Sequence, residues 1–289
     1  MANLKILVLG SNGFIGRNIV EYLDPNEYDV FSPKRQELNL LDTQGVDAYI
    51  KDLQPDVVIL SAVNIQSLAE NLQMYFNVER CSANFGKMIT IGSGAEYDMR
   101  HYYPMMSEDY FGQHVPCDTY GLSKYVMSND IEKNPRNIVN LRVLGIFGKY
   151  EDYTRRFISN NICKAIAGLG VTINQNMAFD FIYVPDFIKI LEMFFTKDTK
   201  YKNYNVCTGQ PIGLLDIANV ICDVLPGGEK VTVREEGTKP EYSASNARFK
   251  AEFGDFQFTD IKASVKEMYE WYVSHPDIEK YCAKLKESE

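Results

Sequence analysis

Residues 4–16 read Leu-Lys-Ile-Leu-Val-Leu-Gly-Ser-Asn-Gly-Phe-Ile-Gly, and the order of residue types in them decides the fold. Leu4 to Leu9 is an apolar run of strand length, the pattern of a strand covered on both faces, as in parallel sheets. Three glycines follow at once and lead into a helical pattern, so the stretch opens a β-α-β unit. Outward from it the alternation continues, with strands at 28–31, 57–60, 88–91 and 138–143 and helices at 43–53, 66–84 and 120–133. This predicts an α/β fold on a Rossmann-type, doubly wound parallel sheet. Beyond residue 150 the pattern loosens into a helix at 153–167, short strands near 171–173 and 180–184, a helix at 185–196 and a strand at 203–206. A helix at 213–224, a short strand at 230–233, a polar loop and a closing helix at 260–274 complete it. The reading divides the chain into an N-terminal domain of residues 1–150, to which 179–206 return, and a smaller C-terminal α/β domain formed mainly by 151–289.

At 289 residues, 45% hydrophobic and 12% aromatic, the chain can build a sizeable core. Its net charge of −9 gives no basic face for nucleic acid or an anionic membrane. No apolar stretch has the length of a membrane span, and the first ten residues read as a strand rather than a signal sequence. A cytoplasmic protein with no nucleic-acid or membrane partner is expected. The six cysteines lie far apart, with no C-x-x-C pair and no histidine at ligand spacing, so free buried thiols and no metal are expected.

Gly10, Asn12, Gly13, Phe14, Ile15 and Gly16 form the turn between the first strand and the first helix. Glycines there permit a tight turn, a close backbone approach to a pyrophosphate and close helix packing, while the helix N-terminus offers N–H groups to phosphates. Residues 1–150 are therefore expected to bind a dinucleotide. At the end of the second strand an Asp or Glu commonly holds a free ribose 2′-hydroxyl. Here the place reads Ser32-Pro33-Lys34-Arg35; two cations suit a 2′-phosphate, so NADP(H) is expected, with NAD(H) second.

Tyr120-Gly-Leu-Ser-Lys124 puts a phenol and an ammonium on one face of a helix, and Tyr120 is the only tyrosine with a lysine four residues on. A nearby cation favours the phenolate and brings a tyrosine toward the range of a general acid or base. Ser93 follows the fourth strand, at the carboxyl edge where doubly wound sheets bind ligands.

Taken in order, the glycine turn, the Ser93 loop, Tyr120/Lys124, Leu141-Arg142 with Ile146-Phe147-Gly148, Asp180-Phe-Ile-Tyr-Val-Pro-Asp186, Asn205-Val-Cys-Thr-Gly209 and Glu270-Trp-Tyr272 span the whole chain. Together they resemble the extended short-chain dehydrogenase/reductase family, the NAD(P)-dependent sugar-nucleotide epimerases, dehydratases and reductases. The resemblance implies a nucleotide-sugar substrate, bound mainly by 151–289, and a catalytic triad of Ser93, Tyr120 and Lys124, with Lys124 also on the nicotinamide ribose. It implies that Ser61, Ala62 and Val63 line the cofactor, that Asn71 buttresses the site, and that Gly94 and Ala95 face the substrate. The segment from Arg35 through Asn39 and Leu40 to Asp42 is most similar to GDP-fucose synthases and dTDP-4-dehydrorhamnose reductases, which makes Asn39 and Leu40 cofactor-side residues and NADPH the expected cofactor. Lys239, where the family often has Arg before Pro, is the candidate for the substrate pyrophosphate; Arg155 and Arg156 are weaker ones. The family pairs through its tyrosine-bearing helix, where Tyr125, Met127 and Ile131 would add apolar area, so a homodimer is expected.

The departures from the family narrow the chemistry. Family dehydratases have an acidic pair directly after the serine, where this chain has Gly94 and Ala95. GDP-fucose synthases place a cysteine and a histidine where Ala95 and Phe157 stand, so proton exchange beside a ketone lacks its groups. Phe179 and Gly145 replace a usual arginine and asparagine, and Glu96 reads as a structural or rim carboxylate. The expected reaction is reduction of a 4-keto sugar nucleotide without epimerisation; the alternatives are a C4 epimerase with tightly held NAD and a non-catalytic dinucleotide sensor.

Overall fold

The computed structural model describes residues 3–226 and 231–288. In the first half β1 (Leu4–Leu9), α1 (Phe14–Tyr22), β2 (Tyr28–Phe31), α2 (Thr43–Leu53), β3 (Val57–Leu60), α3 (Leu68–Glu79), β4 (Lys87–Ser93), α4 (Thr119–Lys133) and β5 (Ile138–Val143) alternate. Then come β6 (Gly145–Phe147), α5 (Phe157–Ile166), β7 (Thr172–Ile173), β8 (Ala178–Phe179), β9 (Phe181–Tyr183), α6 (Val184–Met193) and β10 (Asn203–Val206). The chain closes with β11 (Ile212–Gly213), α7 (Leu214–Val224), β12 (Thr232–Val233), α8 (Ala247–Phe253), α9 (Ile261–Ser274) and α10 (Ile278–Ser288).

The main sheet has the order β2-β1-β3-β4-β5-β10, every pair parallel. The apolar run in β1 is explained by its two faces. Ile6 and Val8 enter a core with α1 and α6, while Leu7 and Leu9 enter a second core with α2, α3 and α4. The order reverses between β1 and β3, which opens a crevice at their carboxyl ends. A third core joins α5, α7, α9 and α10 around Ile162, Ile217, Val265 and Met268. Residues 238–244 thread between the halves, with bridges Thr238 to Asn176, Tyr242 to Phe179 and Ala244 to Met106.

Several expectations change. The helix expected over 66–84 is α3 followed by a separate 3-10 turn at Ser82–Asn84. The polar loop before residue 260 contains α8, and α10 follows the expected closing helix. The strand expected at 230–233 begins at a residue outside the described ones, and β12 pairs with β7. Met127 and Ile131 are buried against the sheet, so they add no area to an exposed helix face. All six cysteines are free thiols, but only Cys81, Cys163 and Cys207 are buried; Cys222 and Cys282 are half-buried and Cys117 is exposed. Among the described residues no helix is long and apolar enough to cross a membrane.

Candidate active site

The glycine turn sits at the switch point, and its close contacts dictate its composition. Gly10 has φ +92°, and a Cβ there would lie 2.5 Å from Ala62 N; one on Gly16 would lie 2.3 Å from Gly10 O. Gly13 begins α1 without a side-chain cap, and no acid occupies that helix's first turn, so its N-terminus is free to meet an anion. Ser61 fixes the facing strand end, its hydroxyl donating to Leu9 O at 2.8 Å. Beyond it Val63 is 45% exposed, an apolar surface at the groove mouth. The Ser11 hydroxyl donates to Ser32 O, bringing the end of β2 against the turn. Lys34 and Arg35 stand exposed there and form no ion pair among the described residues. Asn39 is exposed, but Leu40 turns its side chain into the core, because the chain must bury Leu38 and Leu40 under α2 as it leaves the sheet. Leu40 therefore offers the groove no side chain.

Ser93 ends β4 and caps the next turn, its Oγ accepting from Ala95 N while Ser93 N donates to Glu96. Tyr120 enters from the first turn of α4, capped by Asp118, whose carboxylate accepts from Gly121 N at 2.7 Å. Ser93 faces the Tyr120 phenol. Burial raises that phenol's pKa; the Ser93 hydroxyl opposes the rise, Glu96 adds to it, and Arg156 opposes it. The tyrosine therefore stays protonated. The expected depression by Lys124 is corrected: Nζ lies 6.0 Å from the ring centroid and donates instead to Ile91 O at 2.7 Å. Burial pushes Lys124 itself down to about 8, with Glu96 opposing the shift.

Asn71 is buried at this corner. It donates to the Ser123 hydroxyl at 3.0 Å and to Asn64 O at 2.8 Å, and accepts from Asn64 N at 2.7 Å. Ser123 in turn donates to Tyr120 O, so one amide ties the segment after β3 to the tyrosine's helical turn.

The floor beneath Ser93 is a buried polar network. Glu96 is 1% exposed and pairs with Arg142, which is wholly buried, while Asn140 donates to both Glu96 oxygens at 3.0 Å. Ser128 accepts from Arg142 at 2.7 Å, and Phe111 lies under the guanidinium at 4.3 Å. Glu96 is thus structural rather than a rim group. The later motifs are joints of the same frame. Asp180 accepts from Thr208 N, Thr208 Oγ1 and Gly209 N, and Asp186 accepts from Thr259. Asn205 holds Tyr97, the Met106 carbonyl and the Ser245 carbonyl.

An aromatic wall that the sequence did not announce closes the site. A Cβ on Gly145 would lie 2.3 Å from Phe179 Cε1, so the ring of Phe179 fills the space that a side chain at 145 would need. The two departures from the family pattern are one exchange. Phe179 leans on Tyr242 at 4.8 Å, and Tyr242 stacks on Tyr102 at 4.9 Å. Gly94 faces this wall, whereas Ala95 donates its backbone N–H to Ser93. Phe157 packs partly buried against the third core. Lys239 is exposed, its backbone N–H bonded to Asn176 O, and its side chain makes no hydrogen bond or ion pair among the described residues. Arg155 and Arg156 are both exposed, but Arg156 is near enough to act on Tyr120. His114, a loop residue before Tyr120, stacks on His101 at 3.8 Å.

A parallel sheet with an uncapped glycine turn at its switch point, and a serine and tyrosine across the crevice, defines a class of nucleotide-cofactor enzymes. The chain belongs to the NAD dependent epimerase/dehydratase family, whose pattern matches residues 6–207. It is 22% identical to a GDP-L-colitose synthase of Yersinia pseudotuberculosis, covering 94% of this chain and 98% of that protein. It is 23% identical to a GDP-6-deoxy-D-talose 4-dehydrogenase of Aggregatibacter actinomycetemcomitans, covering 92% and 97%. Among solved structures, a GDP-mannoheptose C4 reductase from Campylobacter jejuni with NADP bound superposes with a TM-score of 0.78 at 21% identity, covering 95% of this chain and 100% of that one.

Proposed function

We propose that this enzyme reduces a 4-keto-6-deoxyhexose linked to a nucleoside diphosphate, GDP by preference, using NADPH and without epimerising the neighbouring carbons. The observation that carries the reading is Tyr120. It is a protonated phenol facing Ser93 at the carboxyl edge of the sheet, across the crevice from the glycine turn, and so is poised to give a proton to a carbonyl oxygen. Ser93 would hold that oxygen, and Lys124 the nicotinamide ribose. Bound NADPH supplies the hydride. The turn at Gly10 to Gly16 would hold its pyrophosphate, Ser61 to Val63 its nicotinamide side, and Lys34 and Arg35 its 2′-phosphate.

GDP is preferred because each of the three relatives above is named for a GDP-sugar. Absence of epimerisation rests on Ala95 and Phe157, which cannot exchange protons at C3 or C5. The aromatic wall favours a deoxy sugar, whose apolar face packs on rings. Residues 151–289 would supply most of the substrate side, and a cytoplasmic homodimer remains the proposed working form.

The test is turnover of GDP-4-keto-6-deoxymannose with NADPH in deuterated water, read by mass spectrometry. One reduction per NADPH without carbon-bound deuterium at C3 or C5 supports the reading. Deuterium there above a no-enzyme control overturns the claim of no epimerisation, and no NADPH oxidation with any 4-keto sugar nucleotide overturns the reductase. Tightly retained NAD in the purified protein would favour the C4 epimerase. Tyr120→Phe should abolish most turnover and keep cofactor binding; retained turnover overturns its role.

A further inference from the structure

Tyr242 is a phenol that neither the sequence pattern nor the family motifs single out. It lies on the threaded segment 238–244, anchored by Tyr242 N donating to Ala178 O at 2.9 Å and Asp180 N donating to Tyr242 O at 3.0 Å. The ring is clamped between Tyr102 and Phe179. Tyr102 is fixed in turn by its hydroxyl donating to Ser243 O at 2.9 Å. A ring held on both sides and at its backbone has one orientation, and its hydroxyl comes to rest on the residue after Ser93. A Cβ on Gly94 would lie 2.1 Å from Tyr242 Oη.

That hydroxyl has no hydrogen-bond partner among the described residues, although its neighbours Tyr97 and Tyr102 both have theirs. Burial, and then the nearby Tyr120 phenol, keep it protonated, so it has a hydrogen to donate. A half-buried donor without a partner costs free energy unless a ligand or water satisfies it. Gly94 is what makes room for it, since any side chain there would displace the phenol.

We propose that Tyr242 is a substrate-orienting residue: its phenol O–H donates to the ring hydroxyl on the carbon adjoining the carbonyl, C3 of a 4-keto hexose, while Phe179 and Tyr102 hold its ring as the wall of the sugar subsite. This deepens the proposed function and rests on it. Fixing C3 beside the carbonyl sets which face of C4 meets the hydride. The residue moves no proton in the reaction.

The experiment compares wild type and Tyr242→Phe, a change that keeps the ring stack and removes one oxygen. Each is assayed with NADPH and GDP-4-keto-6-deoxymannose, and with the 3-deoxy analogue of that sugar nucleotide. Loss of one neutral hydrogen bond should raise KM for the full substrate by about tenfold. NADPH affinity and the thermal midpoint should be unchanged, and the two proteins should treat the 3-deoxy analogue alike. Gly94→Ala should raise KM similarly, and Tyr242→Phe should add little to it, because the same oxygen is displaced in one and deleted in the other. Equal KM for wild type and Tyr242→Phe on the full substrate, or an equal loss on both substrates, overturns the proposal. If wild type neither turns over nor binds a 4-keto sugar nucleotide, the proposed function itself fails, a result distinct from either.

Discussion

The two walls of the crevice are built by opposite means. On the cofactor side the turn at Gly10 to Gly16 is held by backbone pressed on backbone, with close approaches to Ala62 and Gly10 O and no charged group inside it. On the catalytic side Ser93 rests on side chains, with Glu96 and Arg142 paired out of reach of water and Asn140 and Ser128 saturating them. The first arrangement leaves N–H groups free for an anion and tolerates no added carbon. The second fixes Ser93 and the turn that caps it, and tolerates no loss of charge. A buried pair is not intrinsically stabilising, but removing one partner strands the other. The largest expected effect therefore lies on the catalytic side. Arg142→Leu should lose about 3–5 kcal/mol in urea unfolding, and adding Glu96→Leu should restore part of it. A single-variant loss under about 1 kcal/mol would erase the contrast between the walls.

The cofactor wall should fail differently. Gly16→Ala must push Gly10 O away, since the new carbon would lie 2.3 Å from it. We expect a stability loss of about 1–3 kcal/mol, smaller than at Arg142. We also expect NADPH affinity, measured by fluorescence titration, to fall at least roughly tenfold. Unfolding on the scale of Arg142→Leu with normal affinity in the surviving protein would show that the turn is packing alone.

How much of each wall is legible in the sequence follows from the same difference. The cofactor wall is local: the stretch from Gly10 to Gly16, running from the end of β1 into the first turn of α1, carries it, and the apolar residues of β1 and β3 enter both cores because both faces of those strands are covered. The catalytic floor is not local. Arg142 meets Glu96 across 46 positions of sequence, so each reads alone as an ordinary charge. Ser93, Tyr120 and Lys124 are found by their order within a family pattern, yet the direction in which Lys124 points depends on Ile91 O, which no spacing reveals. Tyr242 escapes a reading of the sequence because it sits among polar residues, in a segment that joins no named strand and meets distant residues through isolated bridges. Two-residue strands such as β8 and β11 carry no period to read.

Arg35 sharpens the cofactor wall further out. It is exposed and makes no ion pair among the described residues; on the proposed reading its part is to meet the 2′-phosphate, so Arg35→Ala should leave folding alone. The ratio of NADH to NADPH dissociation constants should fall by roughly tenfold, less in high salt because an exposed charge is screened. An unchanged ratio would remove the basis for expecting NADP(H).

The smallest effect lies behind the glycine turn, in a cavity of about 300 Å³ lined by Asn12, Phe14, Arg17, Glu151 and Trp271 among others. Glu151 is the counterpart of Glu96 without its arginine. Burial pushes it up to about 8, and only Ser159, donating at 2.6 Å, and the more distant Arg156 oppose the shift. The unfolded chain releases this proton near 4.5, whereas the folded chain keeps it to about 8. The stability it brings is therefore complete below the first value and is lost as pH rises through the second. Glu151→Gln keeps a neutral side chain and an acceptor for Ser159 at every pH. The variant should match wild type at pH 5 and exceed its thermal midpoint at pH 8.5 by roughly 2–4 °C. A difference that is the same at both pH values would mean that Glu151 is ionised in the folded protein, and that this wall too contains a buried charge.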